Sequence, residues 1–337
     1  MHNQSIGISE ISYYLGPSVV TNEDLASLNP AWDMDKATER SGVKSRPIAP
    51  PGVTALDLAY EAVKKIIDAK PNILSGVDGL IFCTQTPDYL LPSNSNLLHG
   101  LLNLPLNIMA FDINHACSGY PYAIGIAKSL ILSQMASKVL VVTADTYSRL
   151  IHPLDRSVKP LFGDAASASV VSECNQFHII DQSFGTAGKL ASRFIVERGG
   201  MRHPQKCGDD INLDAAQRIR SSDHIQMDGM GVLSFFNKTV PDSIREILKH
   251  NNLSVDDISY FVLHQASQLA LDALRKSLGV PVEKVIIDMS DTGNLVSSSI
   301  PVVLRRSIDK ALFKNGDKII LAGFGVGLSW GSVLITV

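Results

Sequence analysis

Three reactive side chains, far apart in the sequence, each follow an apolar segment that is typical of a buried strand. Cys117 lies in FDINHACSGYPYAI, His264 in FVLHQAS and Asn294 in DTGNLVSSSIP. Each segment reads as a strand-to-helix junction, and in an α/β sheet functional sites are built at the carboxyl ends of strands. We therefore expect the thiol, the imidazole and the carboxamide to meet at the bottom of one pocket.

The most reactive of the three is Cys117, which precedes a predicted helix. Gly119 permits close backbone approach at this turn. A thiol at a helix N-terminus feels the positive end of the dipole, so we expect the pKa of Cys117 to be lowered and the thiol to act as a nucleophile. A structural cysteine packed as a small hydrophobe is the alternative, and position alone does not decide between them.

Length and composition favour a globular α/β protein. The chain has 337 residues, 45% of them apolar, enough for two ordinary domains or one composite fold. The net charge is −3 and the sequence contains no basic run, so we expect no nucleic-acid partner. We read no secretory signal and no window of 18 apolar residues, so we expect a cytoplasmic protein with no membrane partner.

The four cysteines form no C-x-x-C pair and are expected to be reduced thiols. His203 and Cys207 are spaced like two metal ligands, but no second pair matches them, so no metal site is expected.

Helical and strand-like segments alternate along the whole chain, which is typical of an α/β fold with buried strands. We place helices at 55–69, 122–135, 240–252, 269–279 and 296–312, and strands at 79–83, 108–113, 138–145, 167–172, 258–263, 284–288, 318–323 and 331–337.

The second half of the chain repeats the order of elements in the first. SGVDGLIF and LSVDDISYFVL are similar segments, and each leads into a predicted strand. This short similarity supports duplication. We divide the chain into an N-terminal half, 1–173, which carries Cys117, and a C-terminal half, 174–337. Residues 174–236 begin as an irregular polar stretch, which predicts that this segment is partly lid or loop.

Six motifs in order resemble those of the thiolase-fold condensing enzymes, most closely the β-ketoacyl-ACP synthase III group. The resemblance runs over essentially the whole chain and implies a five-layered αβαβα fold of duplicated halves that acts as a homodimer. The motifs are AFDINHACSGYPYA around Cys117, DR at 155–156 followed by LFGDAASASVV, MDGMGVLSFF at 227–236, HQAS at 264–267, GNLVSSSIP at 293–301 and GFGVGLSWGS at 323–332.

This resemblance implies a decarboxylative Claisen condensation that yields a 3-oxoacyl thioester. Cys117 takes the acyl group from acyl-CoA, and the backbone N–H groups of Cys117 and Val326 form the oxyanion hole. Malonyl-CoA or a malonyl-acyl carrier protein then loses CO2, and His264 and Asn294 stabilise the enolate. Both thioesters are substrates, and no cofactor is needed.

The resemblance also implies a CoA-binding surface, where this chain departs from the family. Arg156 matches the arginine expected to contact the nucleotide, whereas Lys36 stands where the family has a tryptophan. Trp32, one helical turn earlier, is a possible substitute. Leu269 replaces the arginine that docks the carrier protein, and Ser267 replaces an asparagine. These changes favour a specialised relative in fatty-acid or specialised-metabolite biosynthesis.

Two other functions stay open at this stage. An acyltransferase of the same fold would pass the Cys117-bound acyl group to another nucleophile, with His264 as general base. A silent partner subunit of a heterodimeric synthase would keep the fold and lose active-site residues. Asn294 favours decarboxylation, and the presence of all three reactive side chains argues against a silent subunit.

Overall fold

The computed structural model describes residues 5–206, 208, 211–213 and 219–337. The α-helices are α1 Asn22–Leu28, α2 Met34–Ser41, α3 Ala55–Ala69, α4 Asn94–Leu101, α5 Gly119–Leu132, α6 Gly229–His250, α7 Gln268–Leu278 and α8 Ser299–Asp309. The strands are β1 Ile6–Leu15, β2 Ser18–Thr21, β3 Ser45–Ile48, β4 Gly79–Cys83, β5 Met109–Ile113, β6 Lys138–Asp145, β7 Ala165–Glu173, β8 His178–Thr186, β9 Phe194–Ile195, β10 Ile211–Leu213, β11 Ile219–Ser221, β12 Gln226–Met227, β13 Tyr260–Leu263, β14 Lys318–Gly325 and β15 Ser329–Thr336.

The strand order repeats between the two halves of the chain. In the described residues one mixed sheet runs β13-β14-β15-β8-β1-β7-β6-β4-β5. From β1 to β4 the neighbours pair antiparallel, antiparallel and parallel, and from β8 to β13 the same pattern recurs. The two sets meet where Gly7 of β1 pairs with His178 of β8. The strands of the large sheet therefore form two sets with the same pairing pattern.

Helices pack in layers around the two sets of strands. α3 covers β1 and β7 on one outer face, and α6 covers β8, β14 and β15 on the other. α5 and α8 lie between the sets, where α5 contacts β4 and β6 of the first and β14 and β15 of the second. The α/β, thiolase-like fold class with five alternating layers is therefore confirmed.

Helix α5 lies at the centre of the molecule because its residues are apolar almost all round. It begins at Gly119, three residues before the predicted start, with Ser118 at the N-cap position. A Cβ at Gly119 would collide with Sγ of Cys83 on β4. The glycine thus allows the first turn of the central helix to rest directly on the end of a strand.

Two predicted elements are wrong. Residues 284–288 do not form a strand, because only Val285 bridges to Phe261 before the chain leaves the sheet. Helix α6 starts at Gly229 and not at 240, and Pro241 lies inside it. Proline removes one helical hydrogen bond, and burial of Phe236, among other apolar residues of this helix, offsets that cost.

The segment that joins the halves is more regular than predicted. Its first part, β8, is an inner strand of the large sheet, and β9 pairs with β12 outside that sheet. Cys207 lies outside the described residues. Among the helices that the structure describes, we find none with the length and apolar character needed to cross a membrane.

Candidate active site

Cys117 lies between β5 and α5, directly beneath the backbone of β14. Its side chain is buried, with 3% of the residue exposed. A Cβ on Gly325 would lie 2.8 Å from Cβ and 3.0 Å from Sγ of Cys117, and a Cβ on Gly323 would collide with the Cys117 carbonyl oxygen. Only a strand with glycine at both positions can approach the thiol this closely.

Val326 follows directly after the glycine that touches the thiol. It begins the turn between β14 and β15 and lines a cavity next to Cys117. Its position beside Gly325 is compatible with the predicted role of its N–H group, together with that of Cys117, as an oxyanion donor.

His264 is held at the end of β13, next to the same strand. Its backbone N–H donates to the carbonyl of Ala322 on β14 at 2.8 Å. Its ring packs edge-on against Phe324, with ring centroids 5.5 Å apart, and Phe324 directly precedes Gly325. The imidazole and the thiol therefore approach the same stretch of β14.

Burial keeps the His264 imidazole neutral. The residue is 1% exposed, and desolvation lowers its pKa to about 3. Its Nδ1 atom is buried with no hydrogen-bond partner among the described residues. A buried N–H without a partner is rarer than a buried acceptor without one, so we place the proton on Nε2. His264 is then able to donate a hydrogen bond without carrying charge.

Asn294 presents the donor end of its amide to the site. Its Oδ1 accepts a hydrogen bond from the Val296 N–H at 2.9 Å, whereas Nδ2 makes no hydrogen bond to another described residue. Its backbone N–H donates to Leu161 at 2.8 Å, and its carbonyl accepts from Gly163 at 3.0 Å. These bonds fix the carboxamide and leave its N–H groups available to a ligand.

The prediction of a lowered thiol pKa is wrong. Burial raises the pKa of Cys117, and the nearby charge of Asp145 raises it further. These two effects outweigh the dipole of α5. Attack on a thioester therefore requires that the thiol lose its proton as the substrate binds.

Sequence reasoning missed Asp145, the last residue of β6. Its carboxylate is fully buried and accepts hydrogen bonds from Ser297 Oγ at 2.6 Å and the Gln85 N–H at 2.8 Å. Because Ser297 follows the Asn294 turn, the carboxylate ties that turn to the half that carries Cys117. A charged residue ending the apolar run KVLVVTAD was the available signal.

The described part of the chain also forms two cavities of about 580 Å³ each. Trp32 and Arg156 both line the first, whose wall at Leu161 bonds to Asn294. The departures from the family also lie here: Lys36, Leu269 and Ser267. Ser267 serves as the N-cap of α7, with Oγ accepting from the Ala270 N–H at 3.2 Å.

The second cavity has a mixed lining, and the turn that begins at Val326 forms part of its wall. Tyr147, Leu150, Phe194 and Ile225 supply apolar surface, and Arg198, Lys206 and Asp223 supply charge. Cys117 and His264 therefore approach the same stretch of β14, and the Asn294 backbone bonds to Leu161 in the wall of the first cavity.

Comparison with known proteins points to one family. The family described as 3-oxoacyl-[acyl-carrier-protein (ACP)] synthase III matches residues 111–188, and its C-terminal counterpart matches residues 248–337. A beta-ketoacyl-[acyl-carrier-protein] synthase III of Rhodopirellula baltica is 33% identical, with 98% of each chain covered.

Solved structures agree with this result. A 3-oxoacyl-(acyl-carrier-protein) synthase III is 38% identical and superposes with a TM-score of 0.95, covering 99% of this chain and 100% of that one. The corresponding synthase of Thermus thermophilus is 29% identical, with a TM-score of 0.87 and coverage of 98% and 99%.

Asp145 makes the stability of the fold depend on pH. Burial raises its pKa from 3.8 to about 7, so the folded protein holds a proton that the unfolded chain has lost. Between pH 3.8 and about pH 7, the free energy of unfolding should therefore fall as the pH rises. The decrease should be about 1.4 kcal/mol per pH unit and about 4 kcal/mol at most. We expect D145N to gain stability relative to the wild type from about pH 4 to about pH 7, measured by urea unfolding.

Asp78 provides a control of opposite sign. Burial alone would raise the pKa of this carboxyl, but hydrogen bonds from Ser137 and Lys138 outweigh it and lower the pKa. The contribution of Asp78 to the free energy of unfolding is therefore present above pH 3.8 and is lost as the pH falls. D78N should therefore lose stability relative to the wild type as pH rises. A difference between D145N and wild type that stays constant across the series would contradict the assignment.

Proposed function

Since this chain belongs to the 3-oxoacyl-[acyl-carrier-protein] synthase III family, we propose that it primes a decarboxylative Claisen condensation through an acyl group on Cys117. The observation that carries this proposal is the position of Cys117 beneath the glycines of β14, next to the turn that begins at Val326. The neutral donors His264 and Asn294 complete the arrangement.

The first stage transfers the acyl group to the enzyme. The Cys117 sulfur, having lost its proton, attacks the carbonyl carbon of acyl-CoA, and the carbonyl electron pair moves to oxygen. The N–H groups of Cys117 and Val326 stabilise that oxyanion. Collapse breaks the bond to the CoA sulfur, which leaves with the proton and gives an acyl-Cys117 thioester.

The second stage forms the carbon–carbon bond. A malonyl thioester loses CO2, and the electron pair of the broken C–C bond becomes an enolate whose oxygen carries the charge. Nε2–H of His264 and Nδ2–H of Asn294 are suited to donate to that oxygen, because both groups are neutral and fixed before the charge develops. The enolate carbon attacks the acyl carbonyl, and Cys117 leaves as the thiolate.

The two cavities suggest where each part of the substrate lies. We assign the CoA or carrier arm to the first, where Lys36, Arg40 and Arg156 offer positive charge to phosphates and Trp32 offers a ring face. The second, where Tyr147, Leu150, Phe194 and Ile225 offer apolar surface, takes the acyl chain. Both thioesters are substrates in this scheme, and no cofactor takes part.

Replacing Asn294 should separate the two stages. We expect N294A to form the acyl-Cys117 adduct at the wild-type rate but to release CO2 from malonyl-CoA or malonyl-acyl carrier protein about 100-fold more slowly, because one enolate donor is lost. Intact-mass spectrometry follows the adduct, and labelled CO2 follows the second stage.

C117A should form no adduct, whereas C174A, which removes the half-buried thiol of Cys174, should form it normally. If no thioester acylates the wild type, the chain is a silent subunit. If the acyl group leaves Cys117 for another nucleophile without CO2 release, the protein is an acyltransferase and the condensation proposal fails.

We further propose that the active protein is a homodimer. β5 is an edge strand of the large sheet, and within the described part of the chain it pairs with β4 alone. Leu90, Leu91 and Leu106, in the leucine-rich segment near it, are 82–98% exposed, and exposed leucines close to an unpaired strand favour a second copy of the chain. Sedimentation should give twice the mass of one chain, and L91D should shift it toward the monomer. A wild-type monomer would contradict the proposal.

A further inference from the structure

A chain of hydrogen bonds runs from the residue after Cys117 to the turn that carries Val326. Ser118 Oγ lies 2.8 Å from Ser329 Oγ, and Ser329 Oγ donates to the carbonyl of Val326 at 2.8 Å. On the other side of Ser118, Nδ1 of His115 lies 3.3 Å from its Oγ. The nucleophile and the oxyanion turn are thus joined by side chains, although 211 residues separate the two serines.

The direction of this chain is fixed by its last member. A carbonyl only accepts, so the single hydroxyl proton of Ser329 points to Val326. Ser118 must then donate its own proton to Ser329, and it is left to accept one from His115. Burial lowers the pKa of His115, which favours the neutral ring. Because Ser118 has no second proton to donate, we place the ring proton on Nδ1. The donor and the acceptor of each hydrogen bond in the chain are therefore assigned.

The surroundings hold the chain rigid. Ser118 and Ser329 are 0% and 2% exposed. The His115 ring stacks on Tyr122 with centroids 4.2 Å apart, and Tyr122 packs on Phe184 at 4.4 Å. A buried hydroxyl pair without competing water keeps its geometry better than an exposed one.

We propose that Ser118 and Ser329 are positioning residues that set the spacing between the N–H groups of Cys117 and Val326. The inference rests on the proposed function, because those groups matter only if an oxyanion forms. Ser118 is bonded directly to Cys117 in the chain, and Ser329 closes the turn that starts at Val326. The hydrogen bond between the two serines therefore sets how far apart the two donors lie.

Two reactions of Cys117 distinguish positioning from general disruption. Acylation by acyl-CoA passes through an oxyanion, whereas alkylation by iodoacetamide displaces iodide and forms none. We expect S118A and S329A each to slow acylation about tenfold or more and to leave the alkylation rate unchanged. The double variant should be no slower than the worse single variant, because both remove the same link. S329T keeps the hydroxyl and should restore acylation.

Ser332 offers a matched control on the same strand. It is buried and accepts a hydrogen bond from Ser243 at 3.2 Å, away from the oxyanion turn. S332A should lose a comparable buried bond with no change in either rate. If the wild type is not acylated, the proposed function fails. If it is acylated, and S118A and S329A acylate at its rate or lose alkylation in parallel, the positioning role is overturned.

Discussion

The close approach of the β14 backbone to Cys117 is the constraint on which the rest of the site depends. Gly323 and Gly325 leave no side chain between the strand and the thiol. The strand belongs to the C-terminal half and the thiol to the N-terminal half, so the contact also joins the two repeats. Any side chain at Gly325 would push Sγ away and separate the nucleophile from the turn at Val326.

Burial then determines how the site can use its polar groups. Desolvation keeps His264 neutral and disfavours the thiolate of Cys117, so both side chains are present in their uncharged, proton-donating forms. Donors fixed in a dry pocket stabilise developing negative charge without reorganising. Asp145 is the exception, since its raised pKa shows that the hydrogen bonds from Ser297 and Gln85, which help to hold the Asn294 turn, offset only part of the cost of burying its carboxylate.

Local patterns in the sequence predicted about half of the helices and strands and identified Cys117, His264 and Asn294 as candidates. The apolar stripe of α3 predicted both ends of that helix. Helix α7 ends at Leu278, one residue before the predicted end, and Gly279 follows it in the left-handed conformation. The start of α6 was missed because Pro241 resembles a first-turn residue, and its tolerance inside the helix depends on burial against the sheet. Helix propensities describe only the local sequence and contain no information about that contact.

Long-range contacts explain the rest of what sequence reasoning missed. The pKa of Cys117 depends on how deeply the fold buries it, and no window around residue 117 contains that information. The pairing of Ser118 with Ser329 joins two small residues from opposite halves, each unremarkable alone. Short motifs therefore identified candidate residues for the site, while tertiary packing decided their protonation and spacing.

A crystal structure of the protein acylated on Cys117 would test the central claim most directly. The account predicts that the acyl carbonyl oxygen lies about 3 Å from the backbone nitrogens of both Cys117 and Val326, with the chain in the cavity lined by Tyr147 and Phe194. An acyl oxygen that points away from Val326 would show that the β14 turn is not the oxyanion hole, and it would contradict the account.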